Sequence, residues 1–81
     1  MRPEQCRMAR AALKWSTQKL AENADVGVNT INRFEDGQDA RLSSVDKMRR
    51  ALESAGVVFL AEGQSIDGGP GVRLAKPKEL K

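Results

Sequence analysis

The chain has 81 residues, a net charge of +3 at neutral pH, one cysteine and no histidine. That length allows one domain near the lower limit for a self-sufficient core. A single cysteine excludes an intrachain disulfide, and without histidine a zinc site lacks its usual ligands.

No apolar run approaches the length of a membrane span, and no charged-then-apolar leader opens the chain. A reducing cytoplasm is the expected setting, with no metal and no cofactor. The mild positive charge suits a nucleic-acid partner, although many soluble proteins share it. Catalysis finds no support, because the one thiol has no base beside it and the carboxylates are scattered among lysines and arginines.

Pro3 to Leu13 reads as a first helix, with proline early as helices prefer. Cys6, Ala9, Ala12 and Leu13 form its narrow apolar stripe. Cys6 is either a reactive thiol or a buried one, and the lack of an activating histidine favours burial. Trp15 can stack on a base or anchor a core between two helices; the second reading is preferred.

Ser16 to Gly37 reads as two short helices joined by a tight turn. Ser16 is a candidate N-cap, and Leu20, Ala21 and Ala24 give the first of these helices one apolar face. Asp25-Val26-Gly27 interrupts the pattern with two residues that tolerate unusual backbone angles. The second helix carries Ile31 and Phe34 inward, and Gly37 is placed to end it. Its open face is expected to show Val28, Asn29, Asn32 and Arg33, side chains suited to reading base edges.

Gln38 to Leu42 is a polar connection. Val45, Met48, Leu52 and Ala55 then mark another amphipathic helix, with Ser43 and Asp46 as a capping box and Gly56 as the stop. Lys47, Arg49 and Arg50 read as its solvated sides. Val57 to Ala61 and Gly71 to Ala75 are strand candidates joined by a Gly- and Ser-containing loop, which together make a hairpin. Gly68 to Gly71 lacks the Lys-Ser/Thr of a phosphate cradle and reads as turn chemistry. The expected organisation is a helical bundle over 1–56, a hairpin over 57–76 and a flexible tail over 77–81.

The residues Trp15-Ser16, Leu20-Ala21, Ala24, Val26, Thr30-Ile31, Arg33, Glu35 and Gly37 resemble the helix-turn-helix of the phage-repressor-like family, the XRE or Cro/repressor type. The likeness runs from Cys6 to about Phe59. Four positions depart from the family pattern: Thr17 stands for a glutamine, Asp25 for a glycine, Gly27 for a capping Ser or Thr, and Lys14 for a helix-ending glycine. The resemblance implies a mainly α fold, a lambda-repressor-like bundle of about four helices containing the helix-turn-helix, with the C-terminal β-hairpin following.

It also implies a sequence-specific double-stranded DNA-binding regulator, by default a dimeric repressor of a two-fold-symmetric operator, often one in its own promoter, with activation as the alternative. Val28, Asn29, Asn32 and Arg33 would read bases. Ser16, Thr17, Gly27, Arg41, Lys14 and Lys19 would meet phosphates. Arg10 and Glu35 would form a clamp between helices, the alternative being two independent solvated charges. An isolated hairpin is marginal in water, so Val57, Phe59, Leu60, Val72 and Leu74 are expected at the joint of a homodimer; the alternative is a hairpin folded back on its own core, with the dimer formed through the helix ending near Ala55. The rival reading is a protein-interaction module on the same fold, antiactivator or antitoxin-like; Asp36 and Asp39 favour it, and the polar recognition face opposes it.

Overall fold

The computed structural model describes residues 1–60 and 71–75. The expected loop over 63–70, Ala61 at the end of the first expected strand and the tail over 77–81 lie outside them. Among the described residues, four helices are followed by one two-stranded antiparallel hairpin.

Helix α1 spans Pro3–Leu13, with Pro3 in its first turn. The Gln5 side chain accepts a hydrogen bond of 2.8 Å from the Arg2 amide and so satisfies one unpaired donor at the helix start. Lys14 ends α1 in the left-handed conformation, φ 60°. A side chain there costs roughly 1–2 kcal/mol. The buried line of α1 runs through Gln5, Cys6 and Ala9 to half-buried Leu13. Ala12, expected in that stripe, falls at its edge and is exposed.

Helix α2 spans Thr17–Ala24. Ser16 caps it as expected, its Oγ accepting from the Lys19 amide at 3.0 Å. Asp25 closes α2 at φ 59°, and Val26 leads into Gly27, the extended N-cap of α3. Helix α3 covers Val28–Glu35, and Gly37 leaves it at φ 88°, a backbone state that glycine adopts without strain.

Helix α4 covers Leu42–Ser54. The expected capping box at Ser43 does not form. Arg41 is the extended N-cap, which puts Ser43 inside the first turn, and Asp46 pairs instead with Arg50 one turn on, at 2.9 Å. Gly56, at φ 104°, then turns the chain into the hairpin.

Strands β1, Val57–Leu60, and β2, Gly71–Leu74, pair with Val57 opposite Leu74 and Leu60 opposite Gly71. The hairpin lies on its own helices, β2 against α1 and β1 against α4. Gln5 fastens it: its side-chain nitrogen donates to the carbonyls of both Leu60 (3.0 Å) and Gly71 (3.1 Å). The Arg49 guanidinium sits 5.6 Å from the centre of the Phe59 ring.

The core draws Cys6 and Ala9 from α1, Leu20 from α2, Ile31 from α3, Met48 and Leu52 from α4, and Val57 from β1. Val57 is therefore buried within one molecule, not open to a second copy as the dimer expectation had it. Phe59 and Val72 also pack partly against this core, and Trp15 does the same at the α1–α2 junction.

Candidate nucleic-acid interface

The outward surface of α3 follows from where its inward residues fall. Val28, Ile31 and Glu35 are spaced three and four apart, and Phe34 widens the same side. Ile31, Phe34 and Glu35 are buried, and Val28 is half-buried against the core. Asn29, Asn32 and Arg33 are adjacent on the opposite arc, and all three are exposed. Val28 was expected on the open face. Its spacing from Ile31 and Glu35 turns it inward, so its methyl groups are partly covered.

This arc is oriented from behind by α1. Arg10 grips Glu35 with two parallel hydrogen bonds, Nε to Oε2 and Nη2 to Oε1, each 2.7 Å. Its remaining nitrogen donates to the Trp15 carbonyl at 3.0 Å, which ties the α1–α2 turn into the same network. The clamp expected from the resemblance is present.

Two further contacts had no sequence signal. The Cys6 thiol donates to Glu35 Oε2 at 3.1 Å, and Arg7 donates to the Glu35 main-chain carbonyl at the end of α3. Burial works against charge on Glu35, but the Arg10 and Cys6 hydrogen bonds and the two guanidinium charges outweigh it and hold the carboxyl below its ordinary range. The hydrogen bonds to Glu35 raise Arg10 in turn. Burial, then the bond to Glu35, pushes the Cys6 thiol well above its usual value, so the buried, unreactive reading of Cys6 fits its surroundings.

Beside the arc, an open groove of about 390 Å³ separates α3 from the start of α4. Thr30, Arg33, Asp39, Ala40, Arg41 and Ser44 line it. It brings together a predicted base reader, Arg33, and a predicted phosphate contact, Arg41, which lie eight positions apart in the chain. Asp39 stands between them in sequence and lines the same groove. Leu42, at the first position of α4, is 86% exposed.

The other predicted phosphate contacts gather around the helix starts. Lys14, Ser16 and Lys19 are exposed at the α1–α2 junction, and Thr17 is half-buried there. The Ser16 hydroxyl is engaged in capping, which leaves backbone amides as what it can offer a phosphate. Gly27 is exposed, and a Cβ there would meet nothing closer than the Thr30 hydroxyl at 3.9 Å. The absence of a side chain at Gly27 is thus not forced by crowding within the protein.

Among the described residues there is no group of three His, Cys, Asp or Glu able to hold a metal ion, and no helix is long and apolar enough to cross a membrane. No protein-family model matches the chain, and no curated protein matches it.

Proposed function

We propose that α2, the turn at Asp25–Gly27 and α3 form a helix-turn-helix that binds double-stranded DNA in a sequence-specific manner. The observation that carries this reading is the exposed arc of Asn29, Asn32 and Arg33 on a helix whose far end is clamped to α1. An asparagine amide matches the N6 and N7 edge of adenine, and an arginine fork matches guanine O6 and N7. Neither residue type contributes to the core, so packing does not account for them.

In this reading α3 lies in the major groove and α2 crosses the backbone. Lys14, Lys19 and Arg41, with the amides near Ser16, Thr17 and Gly27, meet phosphates on either side. In this reading the protein acts as a homodimeric repressor on a two-fold-symmetric operator. One recognition helix reads too few bases to select a site in a genome, and a second copy doubles the reading. The hairpin residues left for such a joint are Leu74, which is exposed, and half-buried Leu60.

Salt dependence tests the DNA reading. Binding to generic duplex should weaken steeply as salt rises, because each neutralised phosphate releases counterions. Fluorescence anisotropy at several salt concentrations checks this; no binding even at low salt would reject it. A protein-interaction module is the second reading, and the exposed Leu42 at the first position of α4 is the observation in its favour.

A further inference from the structure

We propose that Asp39 is a specificity-determining residue, and that the groove between α3 and α4 reads a G·C pair, with Arg33 on the guanine and Asp39 on the cytosine amino group. The inference rests on the DNA-binding reading above and assigns its α3–α4 groove a ligand. Its starting point is the chemistry of the groove wall: two guanidiniums, Arg33 and Arg41, two hydroxyls, Thr30 and Ser44, and one carboxylate, Asp39.

A groove built only to follow a phosphate backbone would have no use for that carboxylate. Two negative charges brought together there repel, and Asp39 would subtract from the attraction that Arg33 and Arg41 supply. A base-pair edge differs from a phosphate because it offers donors as well as acceptors. In the major groove a G·C pair presents guanine O6 and N7 as two adjacent acceptors and cytosine N4 as a donor. A guanidinium fork and an ionised carboxylate are the complements of those two halves.

An adenine amino group could also face Asp39, but an A·T pair lacks the two adjacent acceptors that an arginine fork requires. Arg33 and Asp39 in one groove therefore select G·C together, while Arg41, at the cap of α4, remains for the backbone. Asp39 is exposed and lies in a connection outside the helices, so a change there leaves the fold intact.

The test begins by selecting bound sequences from a randomised duplex library with the full-length protein. Affinities of wild type, Asp39→Ala and Asp39→Asn are then measured on the selected operator and on an unrelated duplex. The expected result for Asp39→Ala is a change of opposite sign on the two: operator affinity falls about 10-fold, and non-specific affinity rises about 2- to 5-fold as the repulsion is removed. Asp39→Asn keeps an oxygen acceptor, so it retains more operator affinity than the alanine variant, and melting curves of all three coincide.

Tighter binding of Asp39→Ala to both duplexes would make Asp39 a repulsive charge only and overturn the proposal, with DNA binding still standing. Unchanged affinity on both would overturn it as well. If the wild-type protein enriches no sequence, the DNA reading fails first and this inference with it.

Discussion

Glu35 ends α3 with its carboxylate inside the fold, where an unpaired charge would cost several kcal/mol. Three donors from α1 make the position tenable: two nitrogens of Arg10 and the thiol of Cys6. Removing Arg10 leaves the buried Glu35 carboxylate with the Cys6 thiol as its remaining side-chain donor, and removing Glu35 leaves the half-buried Arg10 with the Trp15 carbonyl. Arg10→Ala and Glu35→Ala should each lower stability by about 2 kcal/mol. The double variant should lose less than the sum, as urea denaturation at pH 7 will measure; strict additivity would show that the pair does not act as a unit. The sign of the pH dependence follows from the depressed Glu35 carboxyl. Its folded value lies below an unfolded value of about 4.3. Its contribution is present above that pH and is lost as pH falls through the folded value. Acid should therefore destabilise wild type more than Glu35→Gln between about pH 4.3 and lower values.

At the scale of elements, the hairpin raises the sharpest question, because its own molecule already uses much of it. Val57 is in the core, and Gln5 holds the strand ends at Leu60 and Gly71. Truncation after Gly56 would remove core as well as strand, and so would not test dimerisation cleanly. Leu74→Asp alters an exposed side chain instead. If the hairpin joins two copies, sedimentation of this variant should show monomer where wild type shows dimer. A variant that remains dimeric would move the joint to another face.

The helices were largely legible in the sequence, since local signals define their ends: Ser16 caps α2, Gly37 and Gly56 end α3 and α4, and the apolar spacings mark their inner faces. Local signals failed where tertiary contact decides. Ser43 with Asp46 looks like a cap, yet the chain enters α4 two residues earlier, at Arg41, and Asp46 turns to Arg50. Val28 sits on the inward side of α3 for a reason visible in its spacing from Ile31 and Glu35, although an apolar first residue reads equally well as a base contact. The roles of Gln5, Arg7 and Cys6 depend on partners 28 to 66 positions away, which no local pattern reveals.

For the whole molecule, charge is distributed to suit the proposed interface. Lys14 and Lys19 flank the start of α2, and Arg33 and Arg41 flank the groove beside α3. Two of the basic residues of α4, Arg49 and Arg50, are instead paired with Glu53 and Asp46 on its own surface. Lys14, Lys19, Arg33 and Arg41 have no ion-pair partner among the described residues, and the α3 arc lies between them in the chain. The measurement closest to this claim is a paired titration of wild type and Arg33→Ala on a library-selected operator and on random duplex. Arg33→Ala should lose about 1–3 kcal/mol on the operator and far less on random DNA. Equal losses on the two duplexes would contradict base reading by α3.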